Sequence, residues 1–241
     1  MSKIILRDQR IYIDGYELTS RSNSCQIQAS KDVKDATTFS NTHREKLSGL
    51  RDFTFGMGGF MDPDVADQAI WSSLDGSGFV ITATPDVPVL GGTAFLMKAI
   101  DSSILIHGEV GDGSPFQIGG CGDSQLTKVV FMVLSSSAIT TAGSSTIQQN
   151  SNAAVGKKLK LAIHVLSMAG TGTPSITFTL KSSQAAGMTS STTLITTPAI
   201  NAVSGFYSEA ILAAIGTYFQ LSWTVTGTTP SFSVMASFSI V

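Results

Sequence analysis

Apolar and polar residues alternate with a period of two along most of the chain, the spacing of a half-buried β-strand. Arg10-Ile-Tyr-Ile13, the turn pair Asp14-Gly15 and Tyr16-Glu-Leu18 read as a hairpin. In residues 24–29, Cys25, Ile27 and Ala29 share one face, and in 50–60, Phe53, Phe55 and Met57 do the same. Gly56, Gly58 and Gly59 interrupt that second run and predict a bulge or a close backbone approach. Further strands are predicted at 79–84, 93–100, 103–107, 128–134, 157–166, 175–180, 218–226 and 231–241. Phe219, Leu221, Trp223 and Val225 share a face, as do Phe232, Val234, Ala236, Phe238 and Ile240.

One stretch has helical spacing. Asp62-Pro63-Asp64 is a start signal, Ala66, Ile70 and Leu74 form a stripe, and Gly76 and Gly78 follow. Together they predict a short helix over 64–75. Residues 108–123 contain six glycines and read as turns. Residues 135–152, rich in Ser, Thr, Ala, Gln and Asn, read as an exposed loop. The expected fold is mainly β: an antiparallel β-sandwich or barrel with one short helix. The loop near 135 divides it into an N-terminal β lobe over 1–134 and a Ser/Thr-rich C-terminal β lobe over 135–241, unless the whole chain is one domain.

Composition narrows the role. Charged residues make up 13% of the 241-residue chain and apolar residues 42%, against roughly 25% charged in an average soluble protein. Such a chain covers its outside with hydroxyls or with copies of itself. The net charge of −2 and the lack of a long basic block argue against binding nucleic acid through its phosphates. Lys157-Lys158-Leu159-Lys160 reads as a solvated strand start. The N-terminal apolar run is too short for a signal-peptide core, and no run approaches the ~20 residues of a membrane helix. A cytosolic site of synthesis follows, with Cys25 and Cys121 as reduced thiols and neither a disulfide nor a zinc site.

Catalytic chemistry is not legible. His43, His107 and His164 lie far apart in sequence. His107 and His164 sit in apolar strands and read as packed side chains, while His43 lies in a polar segment. No nucleophile elbow, phosphate loop or dinucleotide fingerprint is present. Gly56-Met-Gly-Gly59 precedes Phe-Met-Asp-Pro rather than a helix, so it reads as packing. Asp62, Asp64 and Asp67 lack EF-hand spacing and read as helix-start residues. Trp71 and Trp223 occupy expected core positions. The chain is expected to be no enzyme, with no catalytic residue, cofactor or metal.

Residues 31–52 depart from this pattern. Nine of the chain's 32 charged residues fall in these 22 positions, five basic and four acidic. The connection over 31–49 is expected to be a loop of about 20 residues, a length that is usually functional or disordered. Its interspersed Val33, Phe39, Leu47 and Leu50 suit docking, with charges setting register and apolar anchors supplying burial. The candidate assembly residues are Lys31, Asp32, Lys34, Asp35, Phe39, Arg44, Glu45, Lys46 and Leu47.

Asp14-Gly-Tyr-Glu-Leu18, Asp35-Ala-Thr-Thr-Phe39, Arg44 with Leu47-Ser-Gly-Leu50, and Phe53-Thr-Phe-Gly-Met-Gly-Gly-Phe-Met-Asp62 together resemble the N-terminal half of the major tail tube proteins of siphophages. Ser48 stands where that family often has Pro. The segment 218–234 is similar to the closing strands of phage virion proteins. The resemblance implies a structural virion protein assembled in the host cytoplasm. Its sheets would join those of neighbours into a ring, expected to be hexameric, and the rings would stack into a tube that DNA passes transiently. The loop would bridge rings, and the partners would be further copies and other tail proteins, with no membrane involved. The alternatives are a capsid decoration, neck or baseplate component, or a carbohydrate-binding β module.

Overall fold

The computed structural model describes residues 9–40, 42–61, 78–106, 108–109, 113–134, 136–151, 153–212 and 216–241. The helix expected over 64–75, together with Trp71 and His107, lies outside them. Every strand pairing among the described residues is antiparallel, and the protein is mainly β. Contacts group the chain into two compact units that interleave along the sequence. One takes the chain up to Ser20, Phe79–Leu96 and Thr127–Val241; the other takes Arg21–Gly78 and Met97–Leu126. The strands flanking the expected boundary between 134 and 135 belong to one unit.

In the first unit the dominant elements are β11 (Lys158–Ser183) and β14 (Tyr218–Ile240), paired from Leu159↔Ile240 to Ser183↔Tyr218. Each was expected as two short strands. Thr173-Pro174 and Thr229-Pro230 look like strand ends because Pro cannot donate to a ladder. In the fold they mark a corner, with register shifts between Ala169 and Ser175. The left-handed φ of Gly170, Gly172, Thr173, Gly227 and Thr229 turns both strands there. A Cβ on Gly227 would lie 2.8 Å from the Pro174 Cα, so the corner needs its absence.

The strands fold back on themselves at this corner. Phe219 and Phe238 belong to the same strand and would be roughly 60 Å apart if it ran straight at ~3.3 Å per residue. Their ring centroids are 5.3 Å apart. One core therefore takes Leu161, Ile163 and Val165 from the first half of β11 and Ile176, Phe178 and Leu180 from the second. The sheet is not closed into a barrel. Its order is β12 (Thr192–Thr196), β11, β14, β8 (Thr127–Val133), β6 (Thr93–Ile106), β5 (Phe79–Thr84), β1 (Arg10–Ile13) and β2 (Tyr16–Glu17). β13 (Ser204–Ile211) pairs with the first half of β11. The opposite face of that half is buried too: Ala162 and Met235 pack with Tyr12, Val80 and Phe131.

The serine-rich stretch after β8 is not a free loop. Ile139 exchanges two backbone hydrogen bonds with Phe232, and β9 (Gly143–Ser144) and β10 (Gln148–Gln149) pair along β14. Its donors are satisfied by an edge that would otherwise be open.

The second unit is a sheet in the order β3 (Ser22–Asp35), β4 (Lys46–Phe60), β7 (Pro115–Gly122) and β6. β7 corrects the reading of 108–123 as turns. Its glycines are there for close packing rather than turning: a Cβ on Gly120 would fall 2.3 Å from the Ile100 carbonyl oxygen and 2.4 Å from the Phe55 ring. Gly59 serves the same end in β4, with the Arg21 carbonyl oxygen 1.9 Å from where its Cβ would stand. The packing role read for Gly56–Gly59 holds at this position.

Candidate functional site

The charged segment forms a hairpin arm. Pairing of β3 with β4 runs from Ser22↔Gly59 out to Asp35↔Lys46. The expected loop over 31–49 is thus strand at both ends, 31–35 and 46–49. It lacked a strand signature because neither face of this part is buried, and alternation is the imprint of a buried face. Lys31, Asp32, Lys34 and Asp35 stand on β3, Phe39, Arg44 and Glu45 at the tip, and Lys46 and Leu47 on β4; all are exposed.

The arm changes character along its length. At the base, β7 supports β4 from Phe60 to Thr54, and Phe55 and Met57 are buried. Beyond Thr54, β4 pairs only with β3 among the described residues. Val33, Phe39, Leu47 and Leu50 all face solvent, Leu50 at 86% exposure.

Register sorts the side chains. Val33 lies opposite Ser48, and Asp35 opposite Lys46, which sets Val33 and Asp35 on one face of β3. Lys34 lies opposite Leu47 on the other face, and across a register shift between Lys31 and Val33 the two cations Lys31 and Arg51 lie opposite each other. Like charges directly opposite one another destabilise a sheet in isolation. Asp32 approaches Lys34 at 3.8 Å.

The tip is ordered by its own side chains. Ala36 N donates to the Glu45 carbonyl at 2.9 Å, and Thr37 N donates to Asp35 Oδ1 at 2.9 Å. The Thr37 hydroxyl donates to the same carboxylate and accepts from Glu45 N at 3.0 Å. The Thr37 side-chain and backbone hydrogen bonds hold the Asp35 carboxyl below its ordinary range. Asp35-Ala-Thr-Thr-Phe39 is therefore a clamp that closes the hairpin and presents Phe39 at its end.

Of the other singled-out residues, His43 belongs to the arm tip and the rest lie apart from it. His43 is exposed, with Nδ1 3.4 Å from the Thr42 hydroxyl. Cys25 and Cys121 are free thiols, and burial pushes Cys25 up to about 11. Trp223 is half-buried rather than a full core residue, and its indole N–H donates to the Thr141 carbonyl at 3.2 Å. Among the described residues no group of His, Cys, Asp and Glu is arranged to hold a metal ion.

Two polar clusters escaped the sequence reading. Lys160 is buried, not solvated, and its Nζ lies 3.3 Å from Glu209 Oε1, with Lys158 3.6 Å from Oε2. Burial alone would raise Glu209, but the Tyr207 hydroxyl and both lysines outweigh it and keep the carboxyl low. The second cluster surrounds the wholly buried His164. Its Nδ1 meets the Asp14 carbonyl at 2.6 Å and its Nε2 the Thr82 hydroxyl at 2.8 Å. Burial drives His164 down to about 4, against the pull of the Asp14 carbonyl. Neither contact has a signal in sequence, since the partners lie 82 and 150 residues away.

A shallow cleft of about 360 Å³ at the end of β11 is lined by Ser182, Ser183, Gln184, Thr189, Ser190 and Thr192, with no aromatic ring among its lining residues. It offers hydroxyls without the stacking surface a sugar site uses.

No family model matches the chain, and no curated protein does. Several solved structures do. A chain of the virion of a native gene transfer agent particle is 20% identical, with a TM-score of 0.43 over 50% of this chain and 95% of its own. A chain from the tail of an empty gene transfer agent particle is 18% identical, with a TM-score of 0.40 over 48% and 92%. The SPP1 Dit (gp 19.1) protein, described as a paradigm of the hub adsorption apparatus in phages infecting Gram-positive hosts, is 9% identical, with a TM-score of 0.38 over 98% and 100%. The chain is similar to all three in outline only, and no residue role passes from them to it.

Proposed function

We propose that the chain is a non-enzymatic structural subunit of a phage-type tail, that it assembles with copies of itself, and that its place is the tail tube. The observation that carries this reading is the arm beyond Thr54. A two-stranded ribbon with both faces in water is marginally stable at best. This one also sets Lys31 against Arg51 and leaves Val33, Leu47, Leu50 and Phe39 exposed. Those costs are offset once a neighbour covers the ribbon. Burying a Val or Leu side chain contributes roughly 1.5–3 kcal/mol, and in a ring or stack the gain recurs at every subunit.

The finer picture follows from the resemblance of Asp35–Phe39 and its flanking motifs to tail tube proteins. Subunits close into rings, expected to be hexameric, rings stack, and each arm reaches the adjoining subunit or ring. DNA passes through without being gripped. The weak overall charge of −2 suits such a conduit, because a lining dense in Lys and Arg would hold phosphates.

The test is Val33→Asp with Leu50→Asp, two changes at exposed apolar positions of the ribbon. The doubly substituted chain is expected to keep its circular dichroism spectrum and to stay in the supernatant under centrifugation that pellets the native assembly. Unchanged pelleting would remove this part of the arm from the interface.

A further inference from the structure

We infer that Asp14, His164 and Thr82 form an acid-sensitive latch that fastens the β1–β2 hairpin and β5 onto β11. The latch joins three segments distant in sequence through one ring. The Asp14 carbonyl can only accept, so Nδ1 of His164 carries the proton. A neutral imidazole has one N–H, so Nε2 accepts from the Thr82 hydroxyl. Thr82 and His164 are both fully buried, and no exposed atom of either can turn to water. Asp14 has a left-handed φ of 46°, so its carbonyl is aimed by the turn itself, and its carboxylate accepts from Val80 N at 2.9 Å. The turn is thereby tied to β5 and to the ring at once.

Adding a proton to His164 undoes this arrangement. Nε2 becomes a donor facing a donor, and the Thr82 hydroxyl must turn and find another acceptor in an apolar interior. The charge would sit among Tyr12, whose ring centroid is 5.8 Å away, and the cross-strand partners Gly205 and Met235. Charged groups on the surrounding elements are already engaged. The Asp14 carboxylate holds Val80, and Glu209 on β13 is bound by Lys160, Lys158 and Tyr207. β5 presents Thr82 and β14 presents Met235, neither of which ionises in this range.

The direction with pH follows. A histidine held below its ordinary value stabilises the closed form fully above about pH 6.5, and that contribution is lost as pH falls from there toward 4. Glu209 is itself held low by the Tyr207 hydroxyl and both lysines, against the effect of its burial. With an ordinary ring value near 6.5 in the open form, the open population rises about 20-fold between pH 7 and pH 5.

Hydrogen–deuterium exchange of the full chain at pH 7 and pH 5, corrected for intrinsic rates, reads this opening. The amides of Asp14 and Leu18, which bond to the Val80 and Ile11 carbonyls, are expected to open about 20-fold more at pH 5, and His164→Gln to abolish that dependence. Equal protection of the native chain at both pH values would overturn the latch, as would the same gain in His164→Gln. Should that variant not fold, ring NMR of the native chain decides: His164 titrating below pH 5 supports the latch, and titration near 6.5 refutes it.

Discussion

A chain in which Asn-Gly replaces residues 34–47 is expected to fold but not to assemble. The replacement keeps Val33 opposite Ser48 and closes the shortened hairpin with a two-residue turn of the preferred type. It removes Lys34, Asp35, Phe39, Arg44, Glu45, Lys46 and Leu47 together. All of them are exposed, so the subunit should change in stability by no more than about 0.5 kcal/mol. Analytical ultracentrifugation is expected to show single subunits at concentrations where the native chain forms large species. Large species that persist in the shortened chain would mean that the connection between subunits is made elsewhere.

The second large effect concerns the fold that carries the arm. Phe238→Ala is expected to cost about 3–5 kcal/mol in chemical denaturation. Phe238 is wholly buried, lies opposite Leu161, and packs against Phe219 from the far end of its own strand. Truncating it opens a cavity where the two halves of the folded-over sheet meet. Phe39→Ala, at a fully exposed position, should change stability by less than about 0.5 kcal/mol. Equal, small effects at both positions would show that the two halves of β14 do not pack together.

The sequence was most readable where strands are rich in buried apolar residues. β5, β8 and the outer portions of β11 and β14 announced themselves by apolar content, and the face shared by Phe232, Val234, Ala236 and Phe238 is a core face. It was least readable where residues have two uses. Gly120 has the composition of a turn but serves close packing. Pro174 and Pro230 mark strand ends by local rules, yet here they sit at a corner in continuous strands. β12 and β13 were missed because Thr192–Thr196 and Ser204–Ile211 carry few fully buried side chains. The arm was located by its charge and its motifs, but its strands were hidden because it buries nothing within its own subunit. The buried pair Lys160–Glu209 and the anchors of His164 depend on long-range contacts that leave no local pattern.

Electron microscopy of the purified full chain at high concentration tests self-assembly most directly. Closed rings, or filaments of stacked rings, are the expected images. A field of single subunits at every concentration would contradict the proposal that this chain works by joining copies of itself.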